Sequence, residues 1–254
     1  MGIARPQADH ARRTVADESP GAPAGCNFVD GLLAAAEAPD LRRADRTRLK
    51  LLASMAKQLS EGVEHSDLKV AKVAAAAGVA HGTFYLYFPD MRAAVEVLIS
   101  DFGIFLFEQL AQARSGTIGS RERIRGAMFI YARAFRVNAG LMRCLVSVGR
   151  DSTVFRKTYQ RLSEGWNKRV AASIARQRQG RFPSQNALYE ALLPTAYALG
   201  GMVDDFLIQL YLRQDPQLAA LAGNDEAIAD LLTDVWCHGA HGPRSADISQ
   251  ESPK

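Results

Sequence analysis

A chain of 254 residues, 48% of them hydrophobic, can fill one large or two small packed domains, which excludes a largely disordered protein. Its net charge of +4 permits contact with nucleic acid without arguing for it, so a motif must carry any such claim. Cys26, Cys144 and Cys237 are odd in number and far apart, which argues against a disulfide framework and fits a reducing cytoplasm.

Residues 1–26 are rich in Ala, Pro, Gly and mixed charge without periodicity, and no apolar run marks a secretory signal. Residues 1–43 therefore read as a disordered basic extension. Within it, 27–38 can form a short helix with Phe28, Leu32 and Leu33 on one face, ended by Pro39-Asp40. Arg42, Arg43, Arg46, Arg48 and Lys50 follow as a basic cluster. It is either a solvated helix start or an arm that contacts DNA phosphates or the minor groove. Leu49, Leu52, Ala56, Leu59 and Val63 recur at helical spacing and predict a helix over 45–60, with Gly62 as its terminator.

Residues 66–88, SDLKVAKVAAAAGVAHGTFYLYF, predict two short helices at a tight turn. Ser66 or Asp67 can cap the first, and Leu68, Val70, Val73 and Ala74 give it an apolar face. Ala75 to Ala77 are small enough for a second helix to cross close by, and Val79 would plug the corner. Gly78 sits where the turn needs a left-handed backbone. The second helix is expected over 80–88, with Phe84 and Phe88 on one side and Gly82 opposite, flanked by His81, Thr83, Tyr85 and Tyr87. A bare, polar-tipped helix packed steeply on a small-residue helix is a geometry that enters the DNA major groove.

Val73-Ala74, Ala77-Gly78-Val79 and Gly82-Thr83-Phe84-Tyr85-Leu86-Tyr87-Phe88 resemble the helix-turn-helix of the tetracycline-repressor (TetR) family of transcriptional regulators, over about residues 46–102. The resemblance implies that Ala80, His81, Gly82, Thr83, Tyr85 and Tyr87 approach bases or phosphates. Two positions depart from the family pattern: Lys69 replaces a usual threonine, and Met91 replaces a phosphate-gripping lysine. Lys69 and Arg92 are the residues expected to restore those phosphate contacts.

Downstream, Pro89-Asp90 stops the second helix and caps the next, 91–113, with Val95, Leu98, Phe102, Phe105 and Leu106 as its buried stripe. Ser115-Gly116 and Gly119 break the pattern. A helix over 120–138 aligns Ile124, Met128, Tyr131 and Phe135, and Ala139-Gly140 kinks into a short helix with Leu141, Met142, Leu145 and Val146. A long amphipathic helix over 153–179 carries Phe155, Tyr159, Leu162, Trp166, Val170 and Ile174. Gly180 to Pro183 ends it, and Ser184 can cap a helix to about 213 that is apolar nearly all round and contains Pro194 and Gly200-Gly201. Its apolar run, 191–203, is too short and interrupted for a membrane span. Asn224 can cap a last helix, 225–238, with Ile228, Leu231, Leu232, Val235 and Trp236 inward.

The fold expected is all-α. A three-helix DNA-binding domain (44–90) is followed by a larger helical effector-binding and dimerisation domain (91–240) and a disordered tail (241–254). Met128, Tyr131, Phe135, Met142, Tyr159, Trp166, Tyr197 and Met202 are either plain core or the wall of an effector cavity, and are the ligand candidates. Arg133, Arg136 and Arg143 are either surface or attract an anionic effector group. Gly200, Gly201, Val203, Phe206, Leu210, Leu232 and Trp236 are the expected homodimer surface, a four-helix bundle in the resemblance.

The reading is a cytoplasmic, ligand-responsive regulator of a near-palindromic double-stranded operator, acting as a repressor, with no cofactor, metal or membrane partner. Two rivals stand beside it. An enzyme has no support from a glycine-rich phosphate loop, HExxH or GxSxG, and Cys237, His238 and His241 are a weak metal set at a helix end. A helical protein-interaction module without sequence-specific DNA binding draws its support from the departures at Lys69 and Met91.

Overall fold

The computed structural model describes residues 25–113, 120–151, 153–177 and 185–241, which form helices and turns with no strand among them. The expected N-terminal arm up to residue 24, the breaks at Ser115-Gly116, Gly119 and 180–183, the Ser184 cap and the tail from 242 lie outside the described residues.

The first helix, α1 (Phe28–Ala36), is capped by Asn27, whose side chain accepts the Val29 and Asp30 amides at 2.9 and 3.4 Å. It buries Phe28, Val29, Leu32 and Ala36. Leu33, expected on the inner face, is exposed because it is turned 100° from Leu32 and falls beyond the covered stripe. Although placed in an extension by sequence, α1 is packed into the body. The Phe28 ring sits 5.3 and 5.2 Å from Phe102 and Phe105.

The next helix, α2 (Arg43–Ser60), starts two residues before the expected 45 and buries Leu51, Leu52, Met55, Ala56 and Leu59. Three of the five clustered basic residues turn to the protein. Arg46 donates to the carbonyls of Ala36 (2.9 Å) and Ala38 (3.1 Å), satisfying groups left open at the end of α1. Arg48 lies 3.7 Å from Asp101 and over the Phe88 ring, and Lys50 lies 3.8 Å from Glu37. Arg42 and Arg43 stay exposed.

After a 3₁₀ turn at His65–Asp67 comes α3 (Val70–Ala76). Its N-cap is Lys69, with no side-chain cap bond. Ser66 and Asp67 do not cap it because the chain spends them in the preceding turn. Then follow α4 (His81–Phe84), α5 (Met91–Ala113), α6 (Ser120–Val137), α7 (Ala139–Asp151), α8 (Thr153–Gln177), α9 (Gln185–Leu207) with a π-helical end at Ile208–Leu212, a 3₁₀ turn at Pro216–Leu221, and α10 (Asp225–His241). As expected, Asp90 caps α5, accepting the Ala93 amide at 2.8 Å, and Asn224 caps α10, accepting the Ala227 amide at 3.0 Å.

Helix α5 links the two halves. Its Leu98, Ile99 and Phe102 are fully buried, and one continuous apolar core runs from α1 and α2 to α9 and α10. At about 1.5 Å per residue this helix is roughly 34 Å long. Helix α10 lies along α6, edged by Arg121–Asp234, by Arg125 with Glu226 and Asp230, and by Arg136 with Asp225 (2.9 and 2.6 Å). The first three pairs are exposed, so solvent screens them and they contribute little. The buried Asn138 ties the α6–α7 joint to α1. Its side chain accepts the Phe28 amide at 2.9 Å and donates to the Cys26 and Ala134 carbonyls at 2.7 Å.

Tyr189–Leu212 is long and apolar enough to cross a membrane by length and composition alone. Leu192, Ala196, Leu199, Val203, Leu207 and Leu210 of this segment are buried against the rest of the chain.

Candidate nucleic-acid interface and ligand cavity

Helix α3 ends in a Schellman motif: the Val79 amide donates to the Ala74 carbonyl and the Gly78 amide to the Ala75 carbonyl, both at 3.0 Å. Gly78 has φ +70°, the left-handed conformation expected of it. Val79 packs on the core at the corner. The Ser54 hydroxyl donates to the Val73 carbonyl at 3.0 Å and pins α3 to α2. Ala75 and Ala76, expected beneath the crossing helix, are exposed, and Ala74 is the small residue that is covered.

The second helix is shorter than the expected 80–88. Only His81–Phe84 is α-helical, and 85–87 is a turn in which the Leu86 and Tyr87 amides donate three residues back. Tight i→i+3 bonding lets Phe84 and Phe88, 5.4 Å apart by ring centroid, both reach the core. Burial of each contributes about 1.5–3 kcal/mol. With these two anchored, Ala80, His81, Gly82 and Tyr85 are exposed, and Thr83 and Tyr87 are half-buried. Tyr85 is 51% exposed, and its ring meets that of His81 at 5.5 Å. Gly82 has open space where a Cβ would project. Lys69 is exposed at the start of α3, and Arg92 is exposed and lies 3.5 Å from Glu96. Leu86, beside Tyr85, is 81% exposed and was not singled out by sequence.

A cavity of about 260 Å³ lies between α5, α6, α8 and α9, with Trp236 of α10 in its wall. Five of the eight ligand candidates line it: Met128, Tyr131, Tyr159, Trp166 and Tyr197. The other three do not. Phe135 is buried against Tyr211, Met142 is buried on α7, and Met202 packs half-buried on the core. Arg133, Arg136 and Arg143 do not line it either, and Arg136 is paired with Asp225; the arginine in the wall is Arg123. Sequence reading missed Phe107 of α5, Ser163 and Asn167 of α8, and Asp204 of α9 as wall residues. Polar Ser163 and Asn167, four apart on the apolar stripe of α8, were the available signal.

The polar end of the cavity is built by Tyr131, whose hydroxyl donates to Asp204 Oδ1 at 2.7 Å. Burial raises the Asp204 carboxyl to about 6, with the Tyr131 hydrogen bond opposing. Burial, then the Asp204 charge, pushes the Tyr131 and Tyr159 hydroxyls upward, so both stay protonated.

Residues 65–98 match the family model described as bacterial regulatory proteins, tetR family. This segment is similar to the tetR family. No curated protein matches the sequence. The described chain is similar in fold to a TetR-like transcriptional regulator from Rhodococcus sp. RHA1, with 19% identity, 80% of this chain and 100% of that chain covered, and a TM-score of 0.57. It is similar to a transcriptional regulator from Pseudomonas aeruginosa PAO1 at 14% identity, 80% and 94% coverage, and a TM-score of 0.58. It is also similar to the regulator FadR from Bacillus subtilis in complex with stearoyl-CoA, at 12% identity, 76% and 99% coverage, and a TM-score of 0.56. The all-α architecture, with an N-terminal helix-turn-helix and a helical C-terminal part, is therefore the TetR-like fold.

In this TetR-like chain the expected dimer residues divide. Val203, Leu210, Leu232 and Trp236 are buried within the single chain, which withdraws them from any free face. Gly200 and Gly201 line the cavity together with Val203 and Trp236. Phe206 is half-buried against the core, and Gly201 is exposed. The physical reason is that α9 buries two sides within its own protomer, against α8 and α10, so its surplus apolar surface is already used. Among the described residues no cluster of three His, Cys, Asp or Glu side chains is placed to hold a metal.

Proposed function

We propose that this protein is a cytoplasmic, ligand-responsive transcriptional regulator that binds a near-palindromic operator as a homodimer and, as a repressor, is released by a small, mostly apolar effector. The observation that carries the reading is the tip formed by His81, Gly82 and Tyr85, exposed above the buried Phe84 and Phe88 on a segment similar to the tetR family. A tip so anchored presents backbone and hydrogen-bonding side chains to a groove without deforming. Lys69 and Arg92 add phosphate contacts, and Ala80, Thr83 and Tyr87 flank the tip.

A single short helix discriminates weakly, so two copies at about 34–36 Å spacing read two half-sites. Burial of the previously expected residues leaves Leu231 and Val235 of α10, 39% and 43% exposed and one turn apart, as the centre of the dimer face. The effector occupies the 260 Å³ cavity, near the lower end of the roughly 300–1,000 Å³ usual for ligand sites. Helix α5 begins directly after the tip and contributes Leu106, Phe107 and Leu110 to the cavity wall, so an occupant that favours a different tilt of α5 moves the tip. Coupling of about 1–3 kcal/mol suffices for a 5–150-fold loss of DNA affinity.

The test is a binding titration of the full chain on DNA flanking its own coding region, at two salt concentrations, with random DNA as competitor. Tight, salt-dependent binding confined to a near-palindrome is expected. Equal binding to random DNA would instead favour a helical interaction module.

A further inference from the structure

We propose that the effector cavity selects a compact amphiphilic amine, whose ammonium group is received by the Asp204 carboxylate while its apolar part lies against the aromatic wall. This deepens the cavity reading above and rests on it.

Asp204 is the acidic group in the cavity wall. Among the described residues the Tyr131 hydroxyl donates to it, and it forms no ion pair. An ionised carboxylate has about four acceptor sites, so one phenol leaves most of them for an occupant. The arginine of the wall, Arg123, precedes Tyr131 by eight residues on α6, about 12 Å along the axis. Groups facing Asp204 are Tyr131 of α6 and Tyr159 of α8, both protonated phenols that cannot neutralise it.

In the same cavity wall, Phe107 stands 5.9 Å from Tyr159 and 6.4 Å from Trp166 by ring centroid. Aromatic faces attract a cation, and more strongly where water is excluded. A carboxylate or acyl phosphate at the same end would meet like charge, the repulsive element that specificity requires. The small volume admits a short apolar body and excludes a long chain with a bulky head.

The experiment titrates the full-length protein at pH 8 with octylamine, octanol and octanoate, reading the fluorescence of Trp166 and Trp236, both in the cavity wall. Octylamine is expected to bind at least tenfold more tightly than octanol, and octanoate more weakly than either. In Asp204→Asn, octylamine should fall to the level of octanol while octanol is unchanged; Tyr131→Phe, which keeps the carboxylate, should retain the amine preference. Octanoate binding tightest, or an amine preference that survives Asp204→Asn, overturns the proposal. If Asp204→Asn fails to fold, the order of the three probes on the unaltered protein still decides. Binding of all three without charge order sinks this inference and leaves the cavity reading intact, whereas binding of none sinks both.

Discussion

Gly140, at the second position of α7, lies against the carbonyl of Leu59 at the end of α2. A Cβ built on Gly140 would stand 2.6 Å from the Leu59 carbonyl carbon and 2.9 Å from Ser60 Cα, inside any real contact distance. Backbone meets backbone here, at the joint between α2, on which α3 packs, and the helix that follows the cavity-lining α6. Asn138, two residues earlier, locks the same joint to α1.

Gly140→Ala is accordingly expected to destabilise the protein by about 1–3 kcal/mol, because the obstacle is main chain that cannot rotate away. Chemical denaturation monitored by circular dichroism measures it. Wild-type stability in this variant would mean that α2 and α7 are not in close contact in solution.

Gly82→Glu alters a position with open space around it, and Tyr85→Ala gives up only ring contacts with His81 and Phe84 at the surface, so both variants should stay folded, with stability within about 1 kcal/mol of wild type. Operator binding should nevertheless fall at least a hundredfold in each, by lost contact in one and by charge repulsion from phosphate in the other. Electrophoretic mobility shift alongside a thermal melt separates the two effects. A melt that drops with the affinity would remove these residues from the DNA face.

The Asp204 carboxyl, at about 6 when folded against an ordinary 3.8, gives a pH dependence of definite sign. Its folded pKa is raised, so the folded state holds a proton that the unfolded state has released. The contribution is fully present below about pH 4 and is lost as pH rises through about 6, amounting to about 3 kcal/mol at most. Asp204→Asn should flatten stability between pH 4 and 7 and raise it at pH 8. Tyr131 and Tyr159, the groups facing it, do not titrate in that window. Denaturant midpoints across the pH series provide the measurement; a slope unchanged in the variant would refute the assignment.

Leu231→Glu and Val235→Glu place charge on exposed positions of α10, adjacent to Asp230 and Asp234, which are already paired with Arg125 and Arg121. If these residues centre the dimer face, the double variant should run as a folded monomer in analytical ultracentrifugation and lose cooperative operator binding. A dimer of unchanged strength would move the interface elsewhere.

The parts of the fold that could be read from spacing are those made by neighbours in the chain. The ends of α2 and α3, with Gly62 and Gly78 at φ +92° and +70°, follow from glycine at a helix stop, and the Asp90 and Asn224 caps are equally local. The five cavity residues that were anticipated share one property, an aromatic or sulfur side chain on a stripe of helical period. Asp204 was not anticipated in the cavity wall because a carboxylate in a mostly apolar helix tells nothing of which side has a partner. Leu33 and Arg46 failed for the matching reason. Type predicted their environment poorly once neighbouring helices had claimed particular faces.

An all-helical chain with a helix-turn-helix near residues 65–88 was thus legible from local chemistry, since hydrogen-bond closure, capping and glycine backbone preference act within a few residues. Which side of α9 met α8 and α10, and so whether Val203 and Trp236 faced a partner, a cavity or solvent, was settled by packing among helices far apart in the chain. A helix apolar nearly all round carries no stripe from which to choose, and only the competition for buried volume in three dimensions makes that choice.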